Sequence, residues 1–269
     1  MTAPLNSVTI NGTPAVGQTL SLAVAPAGAT ATYKWKRADA QSGSYADIPG
    51  ATAETYMITA EDAGKYIKVE AIGTGEYIGI VLSAPTAKVT TPITAVSVSG
   101  NTRVGQTITA ATTPAGATKT WKWKRASSQA GPYSDISGAT AQTYTLADAD
   151  TGKYIKAEAT GTGDYSGVVE SQPTAQVTQA LTAVTISGTA QVDQTLTANP
   201  APASATVTYK WKKSDTQNGQ YTDIAGATAK TFIPTAAEQG KYLKVVITGT
   251  GSYTGNQTSA ATAAVAAKA

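Results

Sequence analysis

The sequence has no cysteine and no histidine. The first absence excludes a disulfide framework and a thiol nucleophile; the second removes the commonest general base. Charge is sparse at 14% of residues, with 20 basic against 17 acidic side chains and a net +3. So weak a balance argues against a nucleic-acid reader, which concentrates positive charge on one face. No apolar run approaches the ~18 residues of a membrane-spanning helix. Met1-Thr2-Ala3-Pro4 lacks the basic and apolar regions of a signal peptide. If the natural protein is exported, the expectation is that this chain is an excised piece with an added start.

What the chain does have is repetition. Trp35, Trp123 and Trp211 recur at an interval of 88 residues (123 − 35 and 211 − 123), and so do Gly12, Gly100 and Gly188, and Tyr66, Tyr154 and Tyr242. The 269 residues therefore divide into three units, 1–90, 91–178 and 179–269. A unit of that size buries roughly 60–70% of its unfolded surface, enough for one independent core without metal or crosslink. The charge is unevenly shared: 6 basic and 7 acidic residues in the first unit, 7 and 6 in the second, 7 and 4 in the third.

Within a unit, short alternating segments separated by Gly and Pro predict strands. Thr32-Tyr33-Lys34-Trp35-Lys36 places Tyr33 and Trp35 on one face and both lysines on the other. Val8-Thr9-Ile10, Gln18 to Val24, Gly43 to Ile48, Thr55 to Ile58, Tyr66 to Ala71 and Val81 to Val89 complete seven strands. Pro49-Gly50-Ala51-Thr52 reads as a turn, Ala60 to Gly64 as a corner with one helical turn, and Gly73, Gly75 and Gly79 frame a hairpin tip around Tyr77. Seven short strands with one Trp near the third describe a β-sandwich. The fold class expected is all-β, with three tandem immunoglobulin-like sandwiches in an elongated array.

A family likeness rests on Asp62-Ala63-Gly64-Lys65-Tyr66, repeated as Asp150-Thr151-Gly152-Lys153-Tyr154 and, with Glu for Asp, as Glu238-Gln239-Gly240-Lys241-Tyr242. This is similar to the D-x-G-x-Y corner of immunoglobulin-like domains. With Tyr33-x-Trp35, Gly50-Ala51-Thr52 and Gly73-Thr74-Gly75, the unit resembles the tandem Ig-like repeats of bacterial surface and secreted proteins. One departure is informative: where the family's antibody-type members place an inward Cys, this chain has Lys68, Lys156 and Lys244, while Ile67, Val69 and Ala71 carry the apolar parity. The corner Tyr66 is then expected along the sandwich edge, its hydroxyl on nearby backbone.

With His and Cys missing, and only carboxylate chemistry left formally open, the chain is expected to be a non-enzyme, with no catalytic residue and no cofactor. Asp47, Asp135 and Asp223 recur, one per unit, and are expected to satisfy backbone donors of the turn that follows. Asp148 and Asp150 suggest calcium, but Ala60 and Ala236 stand where the first recurs, so no metal is assigned. Lys68 with Glu70 and Lys156 with Glu158 resemble half of an isopeptide set, yet Lys244 has Val246 at that place and no Asn recurs. Trp35, Trp123, Trp211, Tyr33, Trp121 and Tyr209 are expected in the core. Tyr77, Tyr165 and Tyr253, in glycine-rich tips, are the candidate ligand contacts; the competing role is a ring folded back over the sandwich end.

Between units, Val89-Thr90-Thr91-Pro92-Ile93 and Val177-Thr178-Gln179-Ala180-Leu181 are short and read as semi-rigid joints. The family likeness implies an extracellular or cell-surface location and a stalk that displays a neighbouring domain. The alternatives are an adhesin-type module whose partner is a surface glycan or protein, and a subunit that self-associates through sheet edges. No nucleic acid and no membrane insertion are expected of this segment.

Overall fold

Alternation in Ala31–Ala38 gives a strand whose inward residues, Tyr33 and Trp35, are buried while Lys34 is exposed. The computed structural model describes residues 2–269. The first module comprises β1 (Ala3–Pro4), β2 (Ser7–Asn11), β3 (Thr19–Ala25), β4 (Ala31–Ala38), β5 (Ala46–Asp47), β6 (Thr55–Met57), β7 (Tyr66–Gly73), β8 (Tyr77–Ile78) and β9 (Ile80–Leu82). A three-stranded sheet, β2-β3-β6, faces a four-stranded sheet, β5-β4-β7-β9, and β1 pairs in parallel with β8. The second and third modules repeat this order. The architecture is a two-layer immunoglobulin-like β-sandwich, made three times.

Each sandwich closes its own core. Trp35, Trp123 and Trp211 have no exposed surface, and each packs against a ring from the opposite sheet: stacked on Tyr56 at 5.4 Å and Phe232 at 5.5 Å, tilted against Tyr144 at 5.7 Å between centroids. Each indole N–H donates to a backbone carbonyl, Ala53 at 2.9 Å, Ala141 at 2.8 Å and Ala229 at 3.0 Å. With no cysteine in the chain, the two sheets are held together by this ring packing and the aliphatic core alone. At Gly12, where φ is +117°, a Cβ would lie 3.0 Å from the Thr19 carbonyl oxygen, so the turn between β2 and β3 requires glycine.

Two predicted strands are shorter than their patterns. Gly43 to Ile48 pairs only at Ala46–Asp47, and Val81 to Val89 forms a regular ladder only through Leu82. Pro85 lies in the second stretch and has no N–H to give. There the Ser83 and Thr86 hydroxyls accept from the Val69 and Ile67 amides, at 3.0 and 3.1 Å. Ser171 with Thr174, and Ser259 with Thr262, repeat the device. Side-chain oxygens thus finish a ladder that the backbone leaves open.

The chain enters and leaves a module at opposite ends of β7. Ala3 lies beside Tyr77, next to the Gly73 end, whereas Val89 bonds Lys65 and Gly64, at the Tyr66 end. Eight residues at ~3.3 Å each separate the two ends by about 26 Å. Modules so connected follow one another lengthwise.

Candidate functional site

Two constellations recur in every module, the corner and the outer lysine face, and a third, the joint, recurs between modules. At the first corner Asp62 sits on a 3₁₀ turn, Ala60–Asp62, with no exposed surface. Its carboxylate accepts from the Tyr56 hydroxyl at 2.6 Å, the Thr59 amide at 2.9 Å, the Thr59 hydroxyl at 3.0 Å and Arg37 Nη1 at 3.0 Å. Burial pushes its pKa up, but the four donors outweigh that and hold it below the ordinary value. Burial, then the adjoining carboxylate, pushes the Tyr56 phenol up to about 12.

The other corners vary in concert. Asp150 takes Tyr144 at 2.7 Å, the Ala147 amide at 2.9 Å and Arg125 at 3.0 Å. In the third module Phe232 replaces the tyrosine, the longer Glu238 replaces Asp, and Lys213 replaces Arg; Glu238 accepts from Lys213 at 2.8 Å and Thr235 Oγ1 at 2.8 Å. The donor set changes as a group, so the buried charge stays compensated.

The Tyr56 value has a consequence for stability. A phenol with a folded pKa near 12 and an unfolded one near 10 contributes stability fully below pH ~10 and loses it as pH rises through ~12. Asp62 works the other way: depressed on folding, it stabilises above its unfolded pKa of ~3.9 and is lost as pH falls further. Peptide-resolved hydrogen exchange should show the first module weakening between pH 10 and 12 more than the third, which has Phe232. Tyr56→Phe should abolish that excess; an unchanged profile in the variant would contradict the assignment.

Several expected roles are corrected here. The Tyr66 ring is half-buried on the outer face of β7, the face of Lys68 and Glu70, and its hydroxyl makes no backbone bond among the described residues. The buried phenol at the corner is Tyr56, from the opposite sheet. Asp47 does not serve its turn; it pairs with Lys36 at 2.6 Å across the β4–β5 ladder, and Asp223 with Lys212 at 2.6 Å in the third module. Asp135 lies 3.4 Å from Lys122. Register explains this, since Asp47 stands directly opposite Lys36.

Lys68, Lys156 and Lys244 lie over the rings of Tyr45, Tyr133 and Tyr221, at 4.6, 4.7 and 4.4 Å from the centroids. Each of those hydroxyls donates to a carbonyl four residues back, Gln41, Gln129 or Gln217. This cation–π clasp escaped the sequence reading, although Tyr45 recurs at the same 88-residue interval.

The tip tyrosines Tyr77, Tyr165 and Tyr253 are half-buried, each packed against its own module's core, and the Tyr253 hydroxyl bonds Ser204 at 2.9 Å. Tyr33 and Trp121 are buried as expected, and Tyr209 is half-buried. Asp148 and Asp150 turn to different partners: Asp148 accepts from Gln179 at 2.7 Å, while Asp150 lies under Arg125. Among the described residues no group of three acidic, His or Cys side chains is placed to hold a metal ion.

At the joints, successive residues belong to successive sandwiches. Thr90 donates to Pro14 and accepts from Val16 of the first module, while Thr91 donates to Asp164 of the second at 2.8 Å and runs parallel to Tyr165. No residue is left over as a free tether. Across this joint Lys88 pairs with Asp164 at 2.5 Å and the Thr90 hydroxyl with that of Ser166 at 2.8 Å. The second joint repeats the backbone pattern at Thr178 and Gln179 but changes the chemistry. There the buried Gln179 amide bridges Asp148 and the Thr151 hydroxyl, which donates to it at 2.8 Å. Pro92 is part of the first joint's parallel pairing.

No protein-family model matches the chain, and no curated protein does. Among solved structures, it is similar to a tetra-tandem repeat in the extending region of a large adhesion protein, at 16% identity and a TM-score of 0.40, covering 94% of this chain and 72% of that one. It is similar also to a Ca2+-stabilized adhesin with which an Antarctic bacterium reaches out and binds ice (12%, TM-score 0.25, 98% and 75% covered). The chicken CNTN1 FN1–FN3 domains align at 11% identity and a TM-score of 0.25, with 96% of each chain covered. No helix among the described residues is long and apolar enough to cross a membrane.

Proposed function

We propose that this chain is a non-enzymatic spacer in a bacterial surface or secreted protein, holding a neighbouring domain away from the cell. The observation that supports it is the joint: Thr90 and Thr91 are adjacent in sequence yet paired into different sandwiches, and Thr178 and Gln179 do the same. Modules bounded at 90/91 and 178/179 then transmit length with little loss to bending. Series stacking gives reach without a continuous core, and the absence of His and Cys fits a part with no chemistry to perform.

Small-angle scattering tests this. The expected maximum dimension is about 100–130 Å, from three modules of ordinary strand length plus joints. Insertion of a flexible Gly/Ser segment between Thr90 and Thr91 should broaden the distance distribution. A globular maximum dimension, or an insertion without effect, counts against a stiff spacer. As a second reading, prompted by the exposed half of each ring, Tyr77, Tyr165 and Tyr253 contact a surface glycan or protein. A glycan array probed with alanine at all three positions separates the two.

A further inference from the structure

On the outer face of the four-stranded sheet the Trp-bearing strand carries two lysines in every module, and what neutralises them differs. In the first module Lys36 reaches Asp47 at 2.6 Å and Glu70 at 3.2 Å. In the second, Lys124 reaches Glu158 at 2.5 Å and Glu170 at 2.7 Å. In the third, Lys210 and Lys212 share only Asp223, at 3.3 and 2.6 Å. Val246 stands where the others have Glu70 and Glu158, and Thr258 where the second has Glu170. Lys230, exposed and without an acidic partner among the described residues, replaces Glu54 and Gln142. Of the third module's surplus of three, 7 basic against 4 acidic residues, two charges gather around Lys210, Lys212 and Lys230, while Lys244 lies over Tyr221.

That place is concave. A groove of about 870 Å³ is lined by Tyr209, Lys210, Lys212, Lys230, Val246 and Thr248, among others. It wraps the open edge of the strand Val207–Ser214, because its edge partner, Thr222–Asp223, covers only Lys212 and Lys213. The Trp211 N–H and C=O both turn to that edge, towards Ala227 and Ile224. By the two-residue period of the backbone, the polar groups of Tyr209 point the same way, further along and beyond the partner's reach.

We propose that this groove binds an acidic polysaccharide, with its carboxylate or sulfate groups on Lys210, Lys212 and Lys230 and a sugar face against Tyr209. The half-buried ring offers an apolar face, Thr248 and the strand edge offer partners for sugar hydroxyls, and the lysines supply charge. A nucleic acid fits less well: the positive patch ends within one module, Asp223 interrupts it, and no row of aromatic rings follows to stack successive bases. The inference is independent of the spacer role.

The test uses the full chain and calorimetric titration with alginate, dextran sulfate, neutral dextran and single-stranded DNA. Wild type should bind alginate or dextran sulfate, the better of the two identifying the preferred anion, with affinity falling as salt is added. Neutral dextran should not bind. Lys230→Glu with Val246→Glu, residues already resident in the sibling modules, should weaken binding by about tenfold or more. Lys230→Gln, the second module's residue, should give a smaller loss. The proposal is overturned if wild type binds neither polyanion, if the double variant binds equally well while circular dichroism shows it folded, or if DNA is preferred.

Discussion

Trp123→Ala should strongly destabilise the middle module and leave its neighbours as stable as before. The side chain has no exposed surface, packs against Tyr144 and donates to the Ala141 carbonyl. Removing a buried Trp costs about 3–5 kcal/mol, and the stranded carbonyl adds about 1–3 kcal/mol. Domains of this size have about 5–15 kcal/mol in total, so the loss consumes most of the module's stability. Hydrogen exchange should show lost protection along Lys119–Ala126 and Tyr154–Gly161, with Ala31–Ala38 and Val207–Ser214 protected as before. Loss spread evenly over all three modules would mean that they share one cooperative unit.

The second large effect concerns the corner acid. Asp62→Ala leaves the Tyr56 hydroxyl and the Thr59 amide without an acceptor, and leaves Arg37 with only Glu61. Breaking a buried pair from one side costs about 3–5 kcal/mol. The third module supplies a sharper form of the test. Asp62→Glu alone adds a methylene to a filled site and should cost about 1–3 kcal/mol. Adding Arg37→Lys and Tyr56→Phe reproduces the third module's set and should restore most of it. Urea unfolding of the single, double and triple variants measures the coupling; additive losses would show that the corner residues act separately.

These residues also mark how far the sequence could be read. The 88-residue period, the inward Trp and the corner were visible because they follow from local alternation and spacing. Parity alone puts Lys68 outside the core, since Ile67 and Val69 hold the buried positions. What it meets there was not visible. Tyr45 lies 23 positions upstream and reaches Lys68 only through the packing of the folded sheet. The role of Asp47 is hidden for the same reason, because its partner Lys36 is set by the β4–β5 register and not by the adjacent turn. Ser83 and Thr86 looked like ordinary strand residues, since nothing local announces that a hydroxyl replaces a ladder bond. The groove in the third module was legible only in part: the charge excess and Val246 stood in the sequence, while the convergence of Lys230 with Lys210 and Lys212 needed the crossover between sheets.

Expressing residues 91–178 alone and unfolding them in urea, followed by tryptophan fluorescence and circular dichroism, is the most direct measurement. If each block is held together by its own rings and aliphatic groups, the fragment gives a β spectrum and one cooperative transition with both probes coincident. A fragment that stays molten, or turns helical, contradicts separate sandwiches and removes the basis for a stalk made of them.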